Sequence, residues 1–306
     1  MISRTSLRIA AISLVVMVAF AANSLLCREA LASGGIGAAS FTLIRLVSGA
    51  TFLWLLVGLR QRTWAVGGDW LSALALFGYA AGFSFAYVGL SAGTGALLLF
   101  GAVQITMIAH GLRAGERLTA WQAVGALAAF AGLVWLVLPG VQAPPLLGAV
   151  LMIGAGIAWG VYSLRGRGGA SPIRATTGNF VRSVPLALGL FAVVHVSGLQ
   201  EPMAAQGVFY AVASGALASG LGYALWYAVL PALRATTAAT LQLSVPIIAA
   251  LGGVLLLGEA LTLRFGVATL AVLGGLLVFI LSRLAPHDFG QAFEFSKSGD
   301  IRDESP

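Results

Sequence analysis

Aromatic side chains at helical spacing are the feature of this sequence most able to do chemistry. Tyr79, Phe83 and Tyr87 recur every four residues and share one face of any helix that contains them. Trp159 and Tyr162 stand together in one glycine-rich run, and Tyr223, Trp226 and Tyr227 in another. Asn23, Gln104 and Gln242 add amide groups inside apolar runs. Gathered around one space, these residues make an aromatic cage with a few hydrogen-bonding groups. Rings stack on apolar surface and cations sit favourably over ring faces, so the chemistry is recognition of an amphipathic organic solute. A competing reading assigns Tyr and Trp near helix ends to interfacial belts, and it competes most directly for Tyr87 and Tyr227, which stand close to loops.

Two charges complete the candidate site. Arg45 and Arg182 lie about a third of the way into apolar runs, where an unpaired charge is expensive, and no acidic residue occupies the interior of a run. They read either as paired anchors for a substrate carboxylate or as structural groups that snorkel or cap carbonyls. The same lack of buried acids leaves proton coupling without support, since His110 and His195 stand near run ends. Facilitated movement or exchange is an equal alternative to proton coupling. No cofactor or metal site is expected: the three histidines are far apart, the acids are not clustered, and the single Cys27 cannot form an intrachain disulfide. A membrane-embedded enzyme would need a catalytic constellation that is missing. A channel-like oligomeric pore would need rings of charge or carbonyl motifs.

The elements that must position these groups are transmembrane helices. With 59% hydrophobic residues, 9% charged residues and a mean hydropathy of +0.97, the chain is an integral membrane protein. Its 306 residues hold about ten spans of roughly 20 residues each. The runs fall at 7–26, 36–59, 70–90, 94–112, 120–138, 146–164, 175–198, 207–230, 235–257 and 263–282, with the pair around Leu90 and Thr94 close enough to be misread as one helix. The first run follows Arg4 and Arg8 as a signal peptide would, but it is long and Asn23–Arg28 is a poor cleavage site; a retained helix is expected. The net charge of +7 is scattered over loops and does not form a nucleic-acid stripe. With the N-terminus cytoplasmic, that side collects Arg4, Arg8, Arg60, Arg62, Arg113, Arg117, Arg165, Arg167, Arg174, Arg234, Arg283, Lys297 and Arg302, against Arg28 and Arg264 opposite. Both termini are therefore expected in the cytoplasm.

A pentapeptide occurs twice, Gly115-Glu116-Arg117-Leu118-Thr119 and Gly258-Glu259-Ala260-Leu261-Thr262, 143 residues apart. Thr94, Ala96, Leu98 and Gly132 fall on Thr237, Ala239, Leu241 and Gly275 in the same register. With small loop changes, Asn23-Ser24-Leu25 and Arg28 match Tyr162-Ser163-Leu164 and Arg167, and Arg45 aligns with Arg182. The unit is a five-helix half, 1–140 and 141–284, followed by a polar tail at 285–306. Five is odd, so the halves are inverted, an organisation of secondary transporters with a site between the halves. Each Glu is expected to cap the helix that follows it, with a latch to a basic residue as the second role.

At this point the chain resembles the EamA-type carriers of the drug/metabolite transporter superfamily. The resemblance covers about residues 7–284 and rests on the twin pentapeptide, Ala86-Tyr87-Val88-Gly89-Leu90, Gly95-Ala96-Leu97-Leu98-Leu99-Phe100 with Gln104, and Ala158-Trp159-Gly160-Val161-Tyr162-Ser163. It implies an all-α fold of ten transmembrane helices in two inverted five-helix repeats. The last two stretches look most like the bacterial amino-acid and metabolite exporters, including the aromatic amino-acid and paraquat exporter branch. What this implies is a multi-pass carrier of the bacterial inner membrane, monomeric or a weak homodimer, exporting small amphipathic metabolites such as aromatic or hydrophobic amino acids.

Overall fold

Backbone polar groups have no water to bond in hydrocarbon, so apolar runs of this length cross as helices. The computed structural model describes residues 4–166, 171–199, 201–233, 238 and 241–282. The expectations placed on Arg167, Arg234, Thr237, Ala239, Arg283, Lys297, Arg302 and the tail at 285–306 lie outside the described residues. The helices are α1 (Arg4–Ala32), α2 (Ala38–Gln61), α3 (Trp70–Tyr87), α4 (Ala92–Arg113), α5 (Ala120–Val137), α6 (Leu146–Arg165), α7 (Pro172–Val196), α8 (Ala205–Ala232), α9 (Ser244–Leu257) and α10 (Leu263–Ser282). Nine of these are long and apolar enough to span, and α9 is shorter. Leu270, Leu255 and Leu263 are about four-fifths exposed, so the outer surface is as apolar as lipid requires. The protein is an all-α membrane protein.

Two boundaries differ from the expectation for physical reasons. Helix α1 continues past Leu26 to Ala32, because Arg28 finds a carboxylate and two carbonyls in neighbouring segments and needs no loop to reach water. The α3–α4 pair breaks at Ser91, whose side chain caps α4 by accepting from Thr94 N. Helix α8 is composite: an α stretch (Ala205–Ala213), a π stretch (Ser214–Leu221), a second α stretch (Gly222–Val229) and a 3₁₀ turn (Leu230–Ala232).

The packing is interchangeable between the first five helices and the second five. Helix α3 packs on α6 as α8 packs on α1, α4 on α6 as α9 on α1, and α2 on α8 as α7 on α3, while α2–α7, α4–α9 and α5–α10 pair across the exchange. The α5–α10 pair runs antiparallel, since Gly125 meets Gly275 and Phe279 while Gly132 meets Ala271 and Val272.

Connections alternate between two faces. One, the N-terminal face, carries the α2–α3, α4–α5, α6–α7 and α8–α9 connections; the opposite face carries the rest. On the N-terminal face, Asp69 caps α3 by accepting from the Ser72 backbone and hydroxyl, and Arg165 pairs with it at 2.9 Å. Those hydrogen bonds, with the arginine, hold the Asp69 carboxyl down to about 2. A depressed carboxyl stabilises above its ordinary value of 3.8, and the contribution disappears as pH falls to about 2. The cap is thus intact at any working pH.

At the α5–α10 crossing a methyl on Gly125 would stand 2.5 Å from Gly275 O, whereas one on Gly274 would meet no atom within 4 Å. Gly125→Ala is expected to lower the melting temperature in detergent through overpacking of about 1–3 kcal/mol, while Gly274→Ala leaves it unchanged. Equal melting temperatures for the two variants would refute the close crossing.

Candidate functional site

All but Tyr87 of the aromatic residues singled out by spacing come together around one cavity of about 520 Å³. Helix α1 contributes Phe20, Asn23 and Ser24, α3 Tyr79 and Phe83, α4 Leu99, Phe100, Gln104 and Met107, α6 Trp159, Tyr162 and Ser163, and α8 Ala218, Ser219, Tyr223, Trp226, Tyr227 and Leu230. Ala238 and Gln242 close the ring from the α9 side. Helix α6 is lodged against α4 because Gly156 and Gly160 leave no side chain at the contact; a methyl on Gly156 would stand 2.6 Å from Leu99 O. That contact fixes Trp159 in the centre. Its ring stacks on Tyr162 and on Tyr223, each with centroids 5.2 Å apart, and tilts against Tyr79 at 4.8 Å. Phe83 continues the wall at 5.4 Å from Tyr79, and Phe20 meets Tyr223 edge-on at 5.8 Å.

Behind the Tyr79 wall lies a buried polar network. Ser214 donates to Asn23 Oδ1 at 2.6 Å, Asn23 Nδ2 donates to the Tyr79 hydroxyl at 3.1 Å, and Arg45 Nη2 donates to the same hydroxyl at 2.8 Å and to Ser219 Oγ at 3.4 Å. Helix α2 can bring Arg45 this close because Gly215 in the π stretch lies flat against the Arg45 carbonyl. The π stretch puts Ser214 and Ser219 five residues apart, one reaching α1 and the other α2. Arg45 is 1% exposed and its guanidinium lies 5.0 Å from the Tyr79 ring centroid and 4.8 Å from that of Phe83. Its Nε and Nη1 have no hydrogen-bond partner among the described residues.

Comparison with known proteins adds to this geometry. The profile of the EamA-like transporter family matches residues 146–281. The uncharacterized protein PA1977 of Pseudomonas aeruginosa is 54% identical over 252 residues, which is 82% of this chain and 86% of that protein. The chain belongs to the EamA-like transporter family. A crystal structure that covers 93% of this chain, and all of its own, has a TM-score of 0.63 at 19% identity, a likeness of fold alone.

In this EamA-like transporter the site residues expected from sequence divide into two groups. Tyr79, Phe83, Trp159, Tyr162, Tyr223, Trp226, Tyr227, Gln104, Gln242 and Asn23 line the cavity, so Tyr227 faces the cavity and does not join an interfacial belt. Tyr87 belongs neither to the lining nor to a belt. It is fully buried beneath Phe83, its hydroxyl donates to Ala92 O at 3.2 Å, and Gly95 packs flat on its ring. Arg182 also leaves the site: its Nη1 donates to the Gly67 carbonyl at 2.5 Å, tying α7 to the α2–α3 connection. The expected symmetry with Arg45 fails because the α2–α3 connection lies within reach of Arg182 and offers it a backbone acceptor. Sequence reasoning missed Phe20, Ser214 and Ser219. Phe20 was recoverable, since it shares a helical face with Asn23 and Ser24; the two serines carried no periodic signal.

The twin pentapeptide resolves into parts. Gly115 and Gly258 end their helices with φ of +91° and +66°, a left-handed conformation that favours glycine. Thr119 and Thr262 start the next ones, Thr119 with a capping box to Gln122 and Thr262 by accepting from Phe265 N. For Glu259 the expectation that it caps the helix after it is therefore corrected: Thr262 does that. Glu259 instead accepts from Ala92 N at 2.9 Å, at the start of α4, and pairs with Arg28 Nε at 3.1 Å. Arg28 Nη1 also donates to the Tyr87 and Val88 carbonyls. One carboxylate thereby ties α1, the α3 end and the α4 start together at the opposite face. Glu201 does likewise for α2, accepting from Ala39 N, Ser40 N and Ser40 Oγ.

Cys27 is buried beside Arg28, inside this closed end. Maleimide is expected to label it slowly in the intact protein and about tenfold faster in Glu259→Gln, since each 1.4 kcal/mol of lost local stability is tenfold in opening. Unchanged labelling would show that Arg28–Glu259 does not hold this end shut.

Proposed function

We propose that the protein is a secondary transporter that exports small amphipathic metabolites by alternating access, amino acids with aromatic or other hydrophobic side chains foremost. The observation that carries this reading is the cavity, built from rings on α1, α3, α6 and α8 with Trp159 between Tyr162 and Tyr223. Stacked rings with amides at the rim suit a solute with an apolar ring and a polar head. Membership of a transporter family supports transport over catalysis.

The reading treats 1–140 and 141–284 as inverted repeats, supported by the interchangeable packing and the antiparallel α5–α10 pair. It places the N-terminal face in the cytoplasm of a bacterial inner membrane. Among the described residues that face carries Arg4, Arg8, Arg60, Arg62, Arg113, Arg117, Arg165 and Arg174, while the opposite face has Arg28 and Arg264. Both of those are consumed structurally, Arg28 by Glu259 and Arg264 by the carbonyls of Trp135, Leu136, Leu138 and Val141. The charge bias is therefore a topology signal. Cavity lining reaches Gly166, Pro172 and Leu230 at the N-terminal face, while the other end is tied by Arg28, Glu259 and Tyr87. On this reading the carrier loads from the cytoplasm, and it is proposed to act as a monomer or weak homodimer.

Purified protein in liposomes is expected to exchange labelled aromatic amino acids saturably without added nucleotide. Trp159→Ala should cut that flux about tenfold or more, the cost of about 1–3 kcal/mol for lost ring contacts, with an unchanged size-exclusion profile. No saturable flux across a panel of aromatic, aliphatic and polar amino acids would overturn the substrate. Single-channel currents would make the protein a pore.

A further inference from the structure

Arg45 is a guanidinium at spanning depth with no carboxylate beside it. The carboxylates of Glu259 and Asp69 pair with Arg28 and Arg165 at helix ends, away from Arg45. The described residues lining the cavity include no Asp, Glu, Lys, Arg or His. Among the described residues the charge nearest the cavity wall is therefore the one directly behind it, and it is positive under all working conditions. Two of its nitrogens, Nε and Nη1, make no hydrogen bond to any described residue. A buried charge of this kind is normally paired.

The groups in front of it are arranged to receive an anion. The Tyr79 hydroxyl accepts twice, from Asn23 Nδ2 and from Arg45 Nη2, so its own proton is left to donate, and no acceptor for it is found among the described residues. Ser219 stands beside it with Arg45 Nη2 at 3.4 Å. Tyr79, Asn23 and Ser219 all line the cavity. A hydroxyl that accepts from a cation is polarised and becomes a stronger donor.

We infer that Tyr79 and Ser219, with Arg45 behind them, form a carboxylate subsite, so that the carrier selects ring-bearing monocarboxylates and does not require an amine. The inference rests on the transport reading above. It also reverses part of the expectation from sequence: the Tyr79 and Phe83 faces that would attract an organic cation are already occupied by Arg45. The absence of an acid from the described lining leaves nothing to pair a cargo ammonium. Organic cations are excluded by the same charge that holds the carboxylate. Tyr79 would touch the cargo, and Arg45 acts through Tyr79 as a positioning and charge-supplying residue.

The test uses the full-length purified protein and four probes of one ring size: 3-phenylpropanoate, phenylalanine, 3-phenylpropanamide and phenethylamine. Binding is read from intrinsic tryptophan fluorescence, because Trp159 lies in the site. The two carboxylates are expected to bind, with the neutral amide and the amine about tenfold weaker or worse, a discrimination typical of a lost charge-assisted hydrogen bond. Tyr79→Phe and Arg45→Met should each lower propanoate affinity about tenfold and leave the amide unchanged. A merely structural Arg45 would instead lower the melting temperature of Arg45→Met without changing acid-over-amide selectivity. Wild-type binding of the amide or the amine as tight as the acid overturns the inference, as does binding of none of the four. If Arg45→Met fails to fold, the wild-type panel and Tyr79→Phe still decide. Flux with equal competition by acid and amide removes the subsite and leaves transport standing; acid selectivity without amino-acid flux does the opposite.

Discussion

A guanidinium held in the membrane interior without a counter-ion among the described residues is the constraint around which this molecule is arranged. Insertion scales put an arginine at the middle of a span at roughly 2.5–3.5 kcal/mol. The Tyr79 and Phe83 faces, at about 2 kcal/mol each when desolvated, and one charge-assisted hydrogen bond at about 1.5–3 kcal/mol, are of the size needed to offset that. The neighbours follow from that need. Tyr79 and Phe83 sit one helical turn apart on α3 to flank the cation, the π stretch of α8 brings Ser219 toward it, and Gly215 lets α2 come close enough. The aromatic wall of the cavity is the other side of the same arrangement.

Local caps and arginines on loop carbonyls serve both membrane faces, and the faces differ in what their carboxylates reach. On the N-terminal face, connections are held by local caps and by arginines on loop carbonyls, such as Arg174 on Ala65 and Arg182 on Gly67. On the opposite face, two carboxylates from late in the chain reach across to helix N-termini formed early in it, Glu201 to α2 and Glu259 to α4. A carboxylate at a helix N-terminus is stabilised by the dipole and by orphan amides together. Such a contact is strong while closed, yet it is made between side chain and backbone and needs no repacking of an apolar core to part.

Much of this was legible in the chain. Eight of the ten apolar runs became helices within three residues of their expected limits, while α1 runs six residues further and α9 is described only from Ser244, and the four-residue spacing of Tyr79 and Phe83 did place both rings on the cavity. Local signals of this kind survive folding because they depend on a single helix. What was not legible depended on a partner far away in sequence. Arg45 and Arg182 occupy matching places in their runs, yet one faces α8 and the other finds the carbonyl of Gly67. Glu259 looked like the cap of the helix beside it, and its acceptor atoms went to Arg28 and Ala92 because Thr262 had already taken that duty. Tyr87 continues the periodic face by spacing, but α3 ends there and the ring meets Gly95 instead of the cavity.

The π stretch at Ser214–Leu221 has an evolutionary reading. Relative to a regular α-helix it contains one surplus residue, and one residue corresponds to about 100° of rotation around the axis. Tyr223, Trp226 and Tyr227 all lie beyond it. A single-codon deletion in that stretch would re-index three cavity rings at once without altering any side chain, and a later insertion would restore them. Cargo preference in this fold could therefore drift by changes of length as well as of letter, and substitutions counted in sequence alone would miss that route.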